Sequence, residues 1–325
     1  MLAVTALSVV AGGALIVFVG VDVFLTSLAP TARAPLNELV SRALWRIARL
    51  ARGRARPRAL RNVGPLSIVV TVFIWLALLW LGYALLYAPF TDALAWSSDV
   101  PDPPAGPAAA LYLSGTSLTT LGFGDVVAAS APLRTLTVME AAAGLGIITA
   151  TLGYLPAIYT IISEVRSANQ RVSDLQVDRI EAAAPLLAAD APRLLDDVRR
   201  DVVNARQHFL RFPVLHYFHP PYDESVVALA RGARGLWLAS AEPATGDPVL
   251  DRHRQALERA VDRLVDALAQ HAAGLPVSQP QRPAAESLDG AARRRVLRWD
   301  EVVNRYADVH EYPHRRQPAP AEGQR

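Results

Sequence analysis

Three stretches of the chain are apolar almost throughout: Leu2 to Leu28, Leu66 to Ala88 and Leu133 to Ile162. Each is close to or longer than the roughly 20 residues a helix needs to cross a bilayer. The pattern predicts three transmembrane helices. Beyond Val165 it changes, and apolar positions recur every three or four residues through Arg193 to Leu210, Ser225 to Leu238, Val249 to Leu268 and Ala291 to Tyr306. That is the period of amphipathic helices with one wet face. Asp190 with Pro192, and Asp247 with Pro248, mark helix starts. Gly274 to Pro283 reads as a loop, and the last dozen residues as a disordered tail. No run of alternating strands and no repeat at a solenoid period is visible. The fold class expected is an all-α membrane protein with a soluble α-helical second half.

Between the first two spans, Arg42, Arg46, Arg49 and Arg52 fall every three or four residues with apolar residues between them. A voltage-sensing helix has such a pattern, but it needs acidic partners inside the bilayer, and a single apolar helix without them precedes it here. Leu36, Leu39, Val40, Leu44, Ile47 and Leu50 make one face, with Trp45 suited to the headgroup level. The segment is read as an interfacial amphipathic helix.

Composition strengthens the membrane reading. The chain is 52% hydrophobic and 19% charged, with a formal net charge of +3, which is too apolar for an ordinary soluble protein. Every basic residue is arginine. Arg33, Arg42, Arg46, Arg49, Arg52, Arg54, Arg56, Arg58 and Arg61 crowd the first connection, opposed by Glu38, whereas the second connection carries Asp92, Asp99 and Asp102 without a basic residue. By the positive-inside rule the first connection is cytoplasmic and the second external. The N-terminus is then outside and the C-terminal half cytoplasmic, in a multi-pass protein of the cell membrane. The localised basic cluster argues against nucleic acid as a partner. With no cysteine there is no disulfide framework, thiolate metal site or cysteine nucleophile. No Lys or Arg precedes Arg33, so the first apolar run lacks the positive start of a secretory signal and is read as a retained helix.

The most informative segment is Thr119-Thr120-Leu121-Gly122-Phe123-Gly124-Asp125. A cation that sheds its water inside a membrane needs oxygens at near-constant distance to replace it. Consecutive backbone carbonyls can aim at one axis only if alternate residues take left-handed or otherwise unusual dihedrals, a freedom that Gly122 and Gly124 supply. Thr120, Leu121, Gly122 and Phe123 would then offer their carbonyls, with the Thr120 hydroxyl. Ala108 to Leu118 would form a short helix whose partly negative C-terminal end faces the ion.

At these residues the sequence resembles the prokaryotic potassium channel pore family, of the type with two transmembrane helices around a pore loop, here with an additional N-terminal helix. The signature Thr-x-Gly-Tyr/Phe-Gly-Asp stands at Thr120 to Asp125, and the resemblance covers about Leu66 to Val165. It implies a re-entrant pore helix, a selectivity filter that takes K+ on the carbonyls of Thr120, Leu121, Gly122 and Phe123, passive potassium conduction and a homotetramer in the lipid bilayer. Each chain carries one loop and the ring needs four. K+ is cargo, and no cofactor is expected.

Two departures matter. Leu121 replaces the usual Val or Ile, which keeps a weakly selective cation channel in view. Phe123 replaces the commoner Tyr, so Tyr112 on the pore helix loses a lateral partner worth on the order of 1 kcal/mol per subunit. A filter somewhat easier to deform follows. Thr116, Thr119, Tyr112 and Glu140 are candidate supports, Glu140 through a hydrogen bond to Thr116 or Ser117, while Asp22 is expected to pair with an arginine of the basic connection. In the third span Gly144 is a candidate hinge or a point of close helix packing, and Pro156 a kink. Tyr154, Leu155 or Ile158 is a candidate constriction, and Thr149 and Thr151 candidate cavity lining.

The domains expected are 1–30, the first transmembrane helix; 31–62, the basic linker; 63–165, the pore domain; 166–312, the cytoplasmic helical domain; and 313–325, the tail. In the cytoplasmic half His208, His216 and His219 surround Tyr217 and Phe218. Without Cys or a carboxylate at ligand spacing they are read as ordinary surface histidines. No Gly-rich nucleotide turn, β-roll or nucleophile constellation is present, so the chain is not read as an enzyme, and no ligand or partner of this half is named by its sequence. The alternative from another class is a non-conducting membrane sensor or scaffold that retains the pore fold.

Overall fold

A computed structural model describes residues 2–27, 34–51, 55–100, 102–174, 180–221, 224–240, 247–272, 290–310 and 312, the side chains of 173–174 and 180–189 excepted. The loop 274–283, the tail 313–325, and Arg33, Arg52 and Arg54 lie outside these residues. The three apolar stretches are helices α1 (Leu2–Ser27), α3 (Ala55–Tyr87) and α5 (Ala131–Asp174), all long and apolar enough to cross a membrane. The protein is a multi-span helical membrane protein. Both α3 and α5 extend beyond their apolar runs, because arginine, alanine and glutamate continue a helix as readily as leucine does. Charge marks where lipid would end, not where the helix does.

The chain divides into two compact units: Met1–Ala59 with Val63–Ala157, and Leu60–Asn62 with Ile158–Arg325. The division falls within α5, just after Pro156. In the first unit, Val19 of α1, Trp75, Leu79 and Tyr83 of α3, and Leu133 and Ile147 of α5 share one core with Ala109 and Leu113 of a short helix, α4 (Pro107–Leu118). Many other apolar side chains of α1, α3 and α5 remain exposed on the chain. Lipid and neighbouring protein are the media that accept such surface.

Helix α2 (Pro35–Leu50) occupies the predicted amphipathic segment. Its anchoring differs from expectation. Buried Asp22 accepts hydrogen bonds from the Leu36 backbone N–H at 3.0 Å and from Trp75 Nε1 at 2.9 Å. Rather than meeting an arginine, the carboxylate caps the N-terminus of α2, where unpaired N–H groups and the positive end of the helix dipole favour it. Trp45 is buried with Val40 and Ser41, while Leu39, Ile47 and Leu50 are exposed.

The second unit is helical: α6 (Ile180–Arg211), α7 (Val226–Ala239), α8 (Pro248–Ala272) and α9 (Gly290–Val309) pack around buried α7, with a 3-10 turn at Pro213–Tyr217. The starts read at Asp190 and Asp247 are real: the chain leaves helical geometry at Asp190, and Asp247 Oδ1 accepts from Val249 N–H. At the head of the periodic stretch from Ser225, Ser225 Oγ accepts from Ala228 N–H. The last turns of α5 dock here, with Asn169 Nδ2 donating to the Ser225 carbonyl and Arg166 paired with Glu224. One feature lay below sequence resolution. Strands β1 (Leu94–Trp96) and β2 (Val126–Ala128) form a small antiparallel ribbon.

Candidate functional site

The ribbon explains how a short, irregular segment is held in place. Trp96 pairs with Val126, and the ladder is prolonged by Ser97 N–H on the Asp125 carbonyl and Ala129 N–H on the Ala93 carbonyl. Residues 97–125 therefore leave and return at one clamped neck. Within that excursion α4 begins at Pro107, which fits the first helical position because it has no N–H to lose. At 12 residues it is about 18 Å long, roughly half the thickness of a bilayer core of about 30 Å.

Three side chains fix α4 to the long helices. Trp80 of α3 donates its indole N–H to the Leu111 carbonyl at 2.8 Å. Glu140 of α5, fully buried, accepts from the Tyr87 hydroxyl at 2.8 Å and lies 2.5 Å from the Ser114 hydroxyl, whose single proton is shared between Glu140 and the Trp80 carbonyl at 2.8 Å. Glu140 thus stands behind α4 as the sequence suggests. Its partners are Ser114 and Tyr87, not Thr116 or Ser117. The Thr116 hydroxyl returns to the Tyr112 and Leu113 carbonyls, and that of Thr119 to the Gly115 carbonyl.

After α4 the backbone turns left-handed at every second residue, with φ of 57° at Thr120, 47° at Gly122 and 78° at Gly124. The glycines take this at little cost. Thr120, β-branched, is strained there. The backbone hydrogen bonds are one-sided. Thr120 N–H goes to the Ser117 carbonyl, and those of Leu121 and Gly122 to the Thr116 carbonyl, at 3.0, 2.9 and 3.4 Å. Among the described residues nothing donates to the carbonyls of Thr120, Leu121, Gly122 or Phe123. The side chains of Leu121 and Phe123 are 60% and 69% exposed, so the segment is not packed by its own chain. At its end Tyr112 donates to Asp125 at 2.5 Å while its ring stacks on Trp96. The polar brace expected to be missing at Phe123 is therefore supplied at Asp125.

On α5, Gly144 lies against the end of α4, and a Cβ there would meet the Leu118 carbonyl oxygen at 2.3 Å. Close packing against α4 therefore requires a glycine here. Helix α5 runs unbroken through Pro156. Tyr154 and Thr151 turn toward Thr71 and Trp75 around a cavity of about 10 Å³, so they do not share the exposed face formed by Leu145, Ile148 and Leu152. The Thr149 hydroxyl returns to the Leu145 carbonyl. Leu155 is half-buried, and Ile158 fully buried, in contrast to an exposed constriction.

The three histidines grouped by sequence do not converge. His208 pairs with Glu164 at 2.8 Å, His219 stacks on Tyr312, and His216 meets two histidines remote in the chain. Sequence reasoning also passed over Ser114, Tyr87 and Trp80. A serine facing inward on an apolar helix, and tyrosines placed opposite an intramembrane acid, were the available signals.

Residues 70–160, which hold all of this apparatus, match the family described as "Ion channel". The chain is 28% identical over 202 residues to an uncharacterized membrane protein, YdjJ, of Bacillus subtilis (strain 168); the similarity covers 60% of this chain and 58% of that relative. The chain therefore spans less than two thirds of the relative's length. No solved structure matches the chain. The family match is to an ion channel over residues 70–160, and the relative is by its description a membrane protein.

Proposed function

We propose that the protein is a homotetrameric potassium-selective channel whose filter is built from the carbonyls of Thr120, Leu121, Gly122 and Phe123. One observation carries the reading: alternate left-handed residues at 120, 122 and 124, with the neighbouring N–H groups returned to α4, leave four successive carbonyls with no donor among the described residues. Backbone oxygens without a donor are stable inside a membrane only if a cation or water supplies what is missing. A single chain offers one oxygen at each level, so four copies around an axis complete the cage.

In this assembly α4 is the re-entrant pore helix, and its C-terminal carbonyl end, partly negative, faces the conduction path. Leu121 and Phe123, uncovered in one chain, pack against the pore walls of neighbouring copies. Glu140 and Tyr112 hold the filter from behind and from its outer end. The exposed face of α5 with Leu145, Ile148, Thr149 and Leu152 lines the inner cavity or the subunit seam. The arginine-rich connection supports a cytoplasmic side for residues 31–62 and the second unit and an external N-terminus, in the cell membrane.

Reconstitution in liposomes tests the reading. Purified protein should carry K+ or Rb+ down a gradient and reject Na+. Equal K+ and Na+ flux would identify a weakly selective cation channel. Absence of flux in a correctly inserted protein would identify a scaffold that keeps the pore fold.

A further inference from the structure

Three of the seven histidines meet in the second unit. His216 belongs to the 3-10 turn Pro213–Tyr217, His271 lies near the end of α8, and His310 follows α9. One ring nitrogen from each lies within 4.8 Å of the other two. The rings of His216 and His271 stack at 3.7 Å and 8°, and His310 stands 5.5 Å from His271. His216 and His310 are buried and His271 half-buried.

An imidazole stack can be mere packing, or it can be a ligand set. Several observations favour ligands. His216 Nδ1 is 2.9 Å from the Tyr306 hydroxyl. In the tautomer that donates Nδ1–H to the phenol oxygen, Nε2 presents its lone pair, the arrangement by which an outer partner orients a ligating imidazole. Phe209 and Tyr217 lie edge-on to the cluster and form an apolar wall around it.

We propose that His216, His271 and His310 form a three-nitrogen binding site for a divalent transition-metal ion of the zinc class, with a fourth position open to water or a small anion. The donor set decides the class: imidazole nitrogen suits Zn2+, Cu2+, Ni2+ and Co2+, whereas Ca2+ and Mg2+ need oxygen. Tetrahedral zinc bonds of about 2.0–2.1 Å place nitrogens about 3.3–3.4 Å apart. An occupied site would join the 3-10 turn, the end of α8 and the end of α9 at one node. The inference concerns the second unit alone and does not depend on conduction.

The test uses the untagged full chain in detergent, stripped with chelator and titrated with Zn2+ by calorimetry and with Co2+ by visible absorption. One ion per chain is expected, with the intense d–d bands of four-coordinate Co2+ and a raised thermal midpoint in Zn2+. His271→Ala, at the half-buried position, should abolish the Co2+ bands, and Tyr306→Phe should weaken Zn2+ binding by about 10- to 100-fold. His253→Ala, outside the cluster, should change neither. The absence of stoichiometric Zn2+ binding would reduce the cluster to packing. Undiminished binding by a His271→Ala chain of normal helix content would equally overturn the proposal.

Discussion

The hydroxyl of Tyr112 lies 2.5 Å from a carboxylate oxygen of Asp125, so the last residue of the 119–125 segment is tied to the helix that precedes it. Tyr112→Phe keeps the ring stacked on Trp96 and removes that bond alone. The predicted result is a channel that inserts normally but loses Rb+ flux faster when external K+ is lowered. Phe123→Tyr should give a smaller effect than Tyr112→Phe, because the Tyr112 hydroxyl is already engaged. Decay rates of flux in parallel liposome preparations check both.

Glu140 is buried between the Tyr87 and Ser114 hydroxyls. Glu140→Ala strands the Tyr87 hydroxyl, while Ser114 keeps the Trp80 carbonyl, and a buried hydroxyl left without its partner costs about 1–3 kcal/mol. The full chain in micelles should melt at a lower temperature, and Glu140→Gln should recover part of the loss. An unchanged midpoint for Glu140→Ala would show that this network does not support the fold.

Gly144→Ala would place a methyl group 2.3 Å from the Leu118 carbonyl oxygen. Overpacking of this kind costs about 1–3 kcal/mol and pushes α4 away from α5. The expected outcome is reduced thermal stability and reduced flux together. Were the glycine needed only for bending, Gly144→Ala would leave stability intact and alter gating.

The second unit should respond to acid. His216 and His310 have depressed pKa values in the folded protein, so between that range and the unfolded value near 6.5 the unfolded chain binds more protons. Stability is then full above about pH 6.5 and falls as pH drops, by up to about 1.4 kcal/mol per pH unit for each histidine. Thermal melts of the metal-stripped full chain from pH 8 to pH 5 measure this. A flat profile would contradict the buried, neutral state of these rings.

Much of the architecture was legible because lipid and one-sided burial write strong periods into a sequence. The three long helices, α4 and the starts at Asp190, Ser225 and Asp247 all follow from local pattern. Gly122 and Gly124 declared their left-handed backbone, whereas Thr120 did not, since a β-branched residue takes φ of 57° only when its surroundings impose it. The partners of Asp22 and Glu140 were misjudged for a related reason. Each carboxylate had several donors within plausible reach, and only packing chooses Trp75 and Leu36 for one, Tyr87 and Ser114 for the other. The histidine cluster was invisible because its members are distant in the chain and meet only when α8 and α9 fold back on the 3-10 turn. Nearness in sequence drew attention to His208 and His219 instead.

The carbonyls of residues 120–123 are most directly tested by locating the ion itself. Anomalous diffraction from crystals grown in rubidium should show a four-fold particle with a single file of Rb+ peaks on its axis, each level with these oxygens. A particle of another symmetry, or a four-fold one whose axis holds no rubidium beside Thr120 to Phe123, would contradict the potassium filter.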